Sequence, residues 1–369
     1  MKLLPGRPRV LGLGEPTHGE DVLLEVRNDL FRQLVEREGF RAIAIESDCL
    51  MGTVVDDYVT SGEGTLDEVM GRGFSHGFGA SAANRELVRW MRAYNESRPA
   101  AEHVRFAGAD GPLELTTGPA SPQEALTLLY DYLEPHVDLH HARESLGTDE
   151  RWTDAAAMTD PSKSPGRTAA AGELRLIADD LVALLDAQPP ATSREAWQRA
   201  RLYARTAVGL LRYHYWMADT SPHRIARLLG VRSSMMAENL LAAADWGPVL
   251  AFAHNSHLQR YRSSMTMGGQ PQQWWSSGAL VEARLGAGYA FLSTAVGTIR
   301  HHGVDTPPED TIEGRLYARP DDRVLADPRS LADPVPVARV SPWFGYAALD
   351  PSHLPGIDGV VFVKDCPPR

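Results

Sequence analysis

The sequence contains only three lysines and two cysteines, and it has no run of about 18 consecutive apolar residues. Its formal net charge of −11 over 369 residues argues against binding to nucleic acid or to a membrane surface, because phosphate groups require a basic face. Two cysteines as far apart as Cys49 and Cys366 do not suggest a disulfide scaffold. Since the first residues also lack the apolar core of a signal peptide, we expect a soluble cytoplasmic protein.

Short apolar runs alternate with helical patterns in the first and last thirds of the chain. Residues 9–14 and 41–46 have the composition of strands, and the apolar residues of 20–39 between them recur at a helical spacing. A strand, a helix and a strand with tight joints indicate a βαβ unit and a parallel sheet. Further strands are predicted at residues 104–110, 248–254, 289–296, 335–340 and 359–364, and a helix at 83–97.

The middle of the chain has no strand pattern. It is rich in Ala, Leu and Arg and predicts helices at residues 122–146, 168–187, 193–218 and 222–245. We therefore predict an α/β fold in which a mainly parallel central sheet is flanked by helices and carries a helical-bundle insertion. The predicted domains are residues 1–121 and 247–369 for the two parts of the α/β core and 122–246 for the insertion.

Four of the predicted strands end in polar residues that a hydrophobic core would not select. The carboxyl ends of parallel strands share one edge of a sheet, where open α/β proteins bind their ligands. We therefore expect these side chains to approach one pocket although more than 200 residues separate the first from the last. The residues, in strand order, are Glu15 and His18, Glu46, Asp110, and His254 with His257.

Each candidate also has an ordinary structural explanation. A glutamate after a strand often caps a helix, and paired histidines can bind buried backbone groups. Arg27 lies two helical turns after Glu20, so it is either a surface arginine or a group that reaches a carboxylate or an oxyanion. His76, in the glycine-rich "GFSHGFG", is a candidate for substrate contact.

Four other histidines receive no functional assignment. His140 and His141 lie in an acidic helical region where exposure is expected. His301 and His302 occur in "IRHHG", which is typical of a turn after a strand.

Several segments together resemble one known family, the erythromycin esterases. "GEPTHG" is followed by an arginine nine residues after the histidine and by a glutamate that ends the next strand, as in the opening signature of that family. "AFAHNSHL" resembles its Ala-His-Asn-x-His stretch. "NRELVRWMRAYN", "VRSSMMAENL" and the closing "GIDGVVFVKD" resemble further family elements, so that the resemblance covers nearly the whole chain.

The resemblance implies an α/β core with a helical bundle and hydrolysis of a macrolide lactone ester. By this resemblance His18 is the general base that activates water, and Glu46 is a catalytic acidic residue. The other active-site polar residues are matched by Glu15, Arg27, His254 and His257, and a recurring arginine of the helical part by Arg232. The chain departs from the family pattern at "GADGPLEL" and at "GFSHGFG", which lacks an expected tryptophan.

The residues themselves are consistent with acid–base hydrolysis. A histidine titrates near neutral pH and can take a proton from water, and an arginine or helix amides can stabilise an oxyanion. We expect direct attack by water rather than by a serine. The expected substrate is a small-molecule ester, lactone or biosynthetic intermediate, so that the role is either antibiotic resistance or natural-product biosynthesis.

Three alternatives remain open on the sequence alone. The first is a metal-dependent enzyme. No cofactor is required by the first interpretation, but the carboxylate and imidazole groups of the strand ends could bind a divalent metal. The residues of that alternative are Glu15, His18, Glu46, His254 and His257. The second is a dehydration, cyclisation or ring opening in the same pocket, and the third is a binding protein without catalysis.

Overall fold

A computed structural model of the chain describes residues 6–114, 118–141, 143–147, 150–190, 193–267 and 269–368. The chain divides into two compact units. The first, here called the α/β unit, comprises Met1–Ser47, Met51–Ala109 and Leu240–Arg369. The second, the helical unit, comprises Asp48–Leu50 and Asp110–Asn239. The domain boundaries after residues 121 and 246 stay a prediction.

Strands and helices follow one another in the following order along the chain. The strands are β1 Val10–Glu15, β2 Ala42–Asp48, β3 Arg105–Asp110, β4 Leu113–Glu114, β5 Gly118–Pro119, β6 Val249–His254, β7 Arg262–Met267, β8 Gln270–Trp275, β9 Tyr289–Thr298, β10 Arg323–Ala326 and β11 Gly359–Asp365. The α-helices are α1 Asp21–Glu38, α2 Gly52–Ser61, α3 Leu66–Arg72, α4 Ala82–Glu96, α5 Pro122–Leu133, α6 Ala169–Asp186, α7 Arg194–Met217, α8 Arg224–Ala243, α9 Asn255–Leu258, α10 Ser277–Leu285 and α11 Ile312–Tyr317.

Within the described residues, seven strands form one sheet in the order β10-β11-β9-β1-β6-β2-β3. Strand β1 pairs in parallel with β6 and with β9, β2 pairs in parallel with β6, and β11 pairs in parallel with β9. Only the edge pair β10–β11 among these pairings is antiparallel. The predicted α/β fold with a mainly parallel sheet and flanking helices is therefore confirmed.

One predicted strand is wrong. Residues 335–340 form no strand, and Val335 and Val340 are 84% and 89% exposed. Pro334 and Pro336 supply no backbone N–H to a strand ladder, which explains why the apolar alternation there gives only an isolated bridge between Val337 and Thr311. The edge position is taken instead by β10, which the sequence pattern did not indicate.

The helix predicted at 122–146 also has the wrong extent. Helix α5 ends at Leu133, and Arg143–Leu146 form a separate 3₁₀ turn. The sequence pattern also missed α2, α3 and the hairpin of β7 with β8.

The hydrophobic core of the α/β unit fixes the first helix on the sheet. Phe31 and Leu34 of α1 are buried with Leu13 of β1 and Phe252 of β6. Helix α1 ends at Glu38 and is capped by Gly39, whose φ of 65° favours glycine and whose N–H donates to the carbonyl of Leu34. This packing places the start of α1 directly after the polar end of β1.

The helical unit has a core of its own. Leu126 and Leu129 of α5 are buried with Leu181 of α6 and Ala207 of α7. Among the described residues, no helix has both the length and the apolar composition needed to cross a membrane.

We predict that Gly14→Ala destabilises the protein. A Cβ at Gly14 would lie 2.2 Å from Oδ1 and 2.9 Å from Cα of Asn255, whose side chain is bonded to Ser293 and Thr294 of β9. Overpacking of this kind costs about 1–3 kcal/mol of unfolding free energy, measurable by urea denaturation.

The control for this change is Gly71→Ala. A Cβ there meets no atom within 4 Å, and Gly71 lies inside helix α3. Alanine should leave the stability unchanged or raise it by about 0.5–1 kcal/mol. Equal effects of the two substitutions would contradict the packing argument.

Candidate active site

A cavity of about 220 Å³ lies at the carboxyl edge of the sheet in the α/β unit. Of the residues that the sequence predicts for the site, five line it: Glu15, His18, Arg27, Glu46 and His76. The apolar part of the wall includes Leu24, Ile45, Phe78 and Phe252. Parallel pairing explains the convergence, since Glu15 at the end of β1 is in register with His254 at the end of β6.

His18 is held by a carboxylate at its inner nitrogen. Its Nδ1 lies 2.8 Å from Oε1 of Glu15, and its side chain is 40% exposed while Glu15 is buried. Its Nε2 lies 3.9 Å from Oε2 of Glu46, too long for a hydrogen bond but close enough for charge attraction. When Nδ1 of His18 donates a hydrogen bond to the Glu15 carboxylate, Nε2 of the neutral ring carries the lone pair that can accept a proton.

Glu46 connects the ends of β2 and β6. Its Oε2 accepts a hydrogen bond of 2.8 Å from the backbone N–H of His254, and its Oε1 lies 3.2 Å from Nε2 of His257. Both Glu46 and His257 are buried. The carboxylate therefore fixes the "AHNSH" turn and presents negative charge toward His18.

The hydrogen bonds of His254 identify its tautomer. Its Nε2 lies 3.3 Å from the carbonyl oxygen of Pro16, which can only accept, so this nitrogen carries the hydrogen. Its Nδ1 accepts from the backbone N–H of Ser256 at 3.3 Å and lies 2.8 Å from the Ser256 hydroxyl. Burial, assisted by the nearby His18, lowers the pKa of His254 to about 4. His254 is therefore neutral at physiological pH.

Arg27 is fully buried, so the surface position considered from the sequence is wrong. Its Nη2 donates to Oδ1 of Asn28 at 2.7 Å and to Oδ1 of Asn84 at 2.8 Å, and Asn28 in turn donates to the carbonyl of Ala83. Burial lowers the pKa of Arg27 to about 10, against the opposing effect of Glu15. The guanidinium thus remains charged at neutral pH and lies in a wall of the cavity.

Two buried polar atoms of the cavity wall have no hydrogen-bond partner among the described residues. They are Nη1 of Arg27 and Oε2 of Glu15. Burial raises the pKa of Glu15, while the hydrogen bond and charge of His18 act in the opposite direction. An unpaired donor and an unpaired acceptor beside one cavity are suited to a polar ligand, because leaving both unsatisfied is costly.

Residues 73–77, "GFSHG", match the Gly-x-Ser-x-Gly pattern of a nucleophile elbow. The expectation that water attacks directly did not take this segment into account. The structural context differs from that of an elbow, since the segment follows helix α3 rather than a strand. The hydroxyl of buried Ser75 lies 3.3 Å from that of Ser47, and Ser75 is not among the residues that line the cavity. His76 does line it, with a φ of 55°.

Asp110 and Arg232 belong to the helical unit. There Nε and Nη2 of Arg232 lie 2.9 Å and 2.6 Å from Oδ2 of fully buried Asp110. The two residues form a partly buried ion pair. A role for either residue in substrate binding stays a prediction.

The sequence reasoning missed the residues that position Arg27. Asn28 follows it directly on α1, and Asn84 begins the "NRELVRW" motif on α4. Ser81 caps α4 by accepting from the N–H of Asn84, and it lines the cavity. The place of Asn84 in a motif that resembles a family element was the available signal for this role.

One group of potential metal ligands converges in the described residues, and it is not the set considered from the sequence. Donor atoms of Glu20, His301 and His302 all lie within 4.8 Å of one another. A metal bound instead by the five strand-end residues stays a prediction.

The chain is similar to several known proteins. A protein-family model described as erythromycin esterase matches residues 35–351. The chain is 30% identical over 112 residues to an erythromycin esterase type II of Escherichia coli. That match covers 30% of this chain and only 26% of the relative.

Solved structures share the fold. A Bacillus cereus protein has a TM-score of 0.71 at 16% identity, covering 98% of this chain and 89% of that one. A structure described as a succinoglycan biosynthesis protein has a TM-score of 0.68 at 18% identity, with coverage of 99% and 89%. A histidine-to-asparagine mutant of the erythromycin esterase EreC, in its open conformation, has a TM-score of 0.66 at 18% identity, with coverage of 96% and 90%.

We predict that the ring of His254 keeps a hydrogen on Nε2 alone from pH 8 down to about pH 5, because burial lowers its pKa to about 4. The unfolded chain, with histidine pKa values near about 6.5, takes up this proton first. Acid therefore destabilises the fold progressively between about pH 6.5 and pH 4. ¹H–¹⁵N correlation spectra of the histidine rings, assigned with a His254→Gln variant, measure the titration. Protonation of His254 near pH 6.5 in the folded protein would contradict the prediction.

Proposed function

This chain belongs to the erythromycin esterase family, and we propose that it hydrolyses a carboxylic ester or lactone with water activated by His18. One observation carries the proposal. His18 has its inner nitrogen 2.8 Å from the Glu15 carboxylate, and its side chain, 40% exposed, lines the cavity.

The other histidines of the cluster are less suited to act as the general base. The Nε2 hydrogen of His254 faces the carbonyl of Pro16, and its low pKa makes its ring a weak base at neutral pH. His257 is buried, with Nε2 directed at Glu46. His18 is the member of the cluster whose outer nitrogen lies beside the cavity with its tautomer set by a carboxylate.

The proposed reaction begins with transfer of a water proton to Nε2 of His18. The hydroxide forms a bond to the ester carbonyl carbon, and the imidazolium is stabilised by Glu15 on one side and by Glu46 on the other. The tetrahedral intermediate then breaks its bond to the alkoxide oxygen, which takes the proton back from His18. One water is consumed, and the products are a carboxylic acid and an alcohol from an ester, or a single hydroxy acid from a lactone.

Arg27 supplies the positive charge for the oxyanion in this proposal. Its Nη1 is a buried donor without a partner among the described residues, and its Nε and Nη2 are fixed by Asn28 and Asn84. A donor fixed before the reaction stabilises developing charge more effectively than water does, because it does not need to reorganise.

The family and the shape of the cavity support the proposed substrate class. The cavity of about 220 Å³ is smaller than the roughly 300–1,000 Å³ that enclose drug-sized ligands, so it suits the ester group and its neighbouring atoms. The apolar wall, with Phe78 and Phe252, suits a hydrocarbon framework. We propose a macrolide or another lactone, and a role in resistance or in natural-product biosynthesis depends on which lactone is used.

The first experiment incubates the protein with macrolides, other lactones and simple esters in ¹⁸O-labelled water, followed by mass spectrometry. We expect a gain of one labelled water with the label in the new carboxyl group, since the hydroxide attacks the acyl carbon. Loss of water, or an unchanged mass with altered retention, would assign the pocket to dehydration, cyclisation or isomerisation instead. Prior treatment with a chelator tests the metal-dependent alternative, in which activity disappears.

We also predict that His18→Asn lowers kcat/KM by about 10² to 10⁴, the usual contribution of a positioned acid–base group. The melting temperature should change little, because the side chain is 40% exposed. The matched control is His140→Asn, since His140 is exposed on the helical unit and should be replaceable without effect. A folded His18→Asn protein with full activity would refute the general-base assignment.

A further inference from the structure

A second histidine cluster lies outside the catalytic set. Glu20 directly follows the cavity residue Gly19, and its carboxylate is buried, with 4% of the residue exposed. Its Oε1 lies 3.0 Å from Nε2 of His301 and 3.8 Å from Nε2 of His302. The two histidines belong to the 3₁₀ turn Arg300–His302, which follows β9.

A simple ion pair does not account for this arrangement. Glu20 occupies the N-cap position of α1 but its side chain makes no capping hydrogen bond, and it turns toward the histidines instead. One histidine is within hydrogen-bond distance of Oε1, while the second, at 3.8 Å, is too far for such a bond. The two rings are only 4.5 Å apart, so two imidazolium ions would repel each other.

The donor set and its geometry suit a transition-metal ion. The three ligand atoms lie within 4.8 Å of one another. Because each ligand of a zinc ion lies about 2.0–2.2 Å from it, these atoms need to move only modestly closer together to bind one ion. The ring of His302 is stacked on Trp343 at 3.9 Å, which restricts its orientation. His301 and His302 are 26% and 40% exposed, so an ion has access from solvent and a further coordination position can hold water.

The positive charge of the neighbouring Arg300 does not oppose binding of a metal ion. Arg300, adjacent to His301, directs Nη1 to Oδ1 of Asp365 at 3.1 Å. Its charge is thus balanced at that position by a carboxylate. Two neutral imidazoles and one carboxylate are ligands of intermediate softness, which suit Zn²⁺ better than Ca²⁺ or Mg²⁺.

We propose that Glu20, His301 and His302 form a Zn²⁺ site distinct from the catalytic residues. The ion joins the loop between β1 and α1, which carries His18, to the turn after β9. It therefore stabilises the edge of the sheet on which the cavity is built, without taking part in the reaction proposed above.

The test is titration of untagged, chelator-treated protein with Zn²⁺ by calorimetry. We expect one equivalent to bind and to raise the melting temperature. His302→Gln should weaken binding by about 100-fold or more, because even residues that only support a metal ligand contribute about 10- to 100-fold. His302 is partly exposed, so this variant should fold, and Glu20→Gln provides a second test at the buried ligand.

Two control variants separate this site from other sources of binding. His141 is also paired with a carboxylate, Asp180, at 2.8 Å, but no third potential ligand joins this pair among the described residues, so His141→Gln should bind Zn²⁺ normally. His18→Asn should also bind normally. Absence of binding to the native protein, undiminished binding to His302→Gln, or loss of binding in His18→Asn would each overturn the proposal.

Discussion

The parallel pairing of β1, β2 and β6 is the constraint on which the candidate site depends. Because all three strands run in the same direction, their last residues meet at one edge, with Glu15 in register with His254. Glu46 then reaches from the end of β2 to the backbone N–H of His254. A strand in the opposite direction would put its last residue at the far edge, and the acid–base cluster would not form.

Burial gives these polar residues different properties although they lie close together. His254 is neutral because burial disfavours its charged form, whereas Arg27 retains its charge with three of its donor bonds directed to asparagine oxygens. Glu15 is buried beside both His18 and Arg27, and its raised pKa reflects the cost of burying its charge. Side-chain type and environment therefore act together: burial lowers the pKa of both His254 and Arg27, but it leaves the pKa of Arg27 at about 10, so that only the arginine stays charged at neutral pH.

Local packing in turn preserves the geometry of the site. Gly14 leaves space for Asn255, which bonds β9 through Ser293 and Thr294. Asn28 and Asn84 join α1 to α4 and hold Arg27 between them. These contacts involve no reacting group, yet the positions of His254 and Arg27 depend on them.

The sequence by itself determined the α/β class, most of the central strands and the set of polar strand ends, because hydrophobic periodicity and strand direction are local properties. It did not exclude residues 335–340 as a strand, since apolar alternation does not reveal that Val335 and Val340 are exposed. Nor could it decide between a surface and a buried Arg27, or show that Ser75 of the Gly-x-Ser-x-Gly segment follows a helix and does not line the cavity. Only the tertiary structure decided these points and brought Glu20 to His301 and His302, because contacts across nearly 300 residues depend on how the whole chain packs.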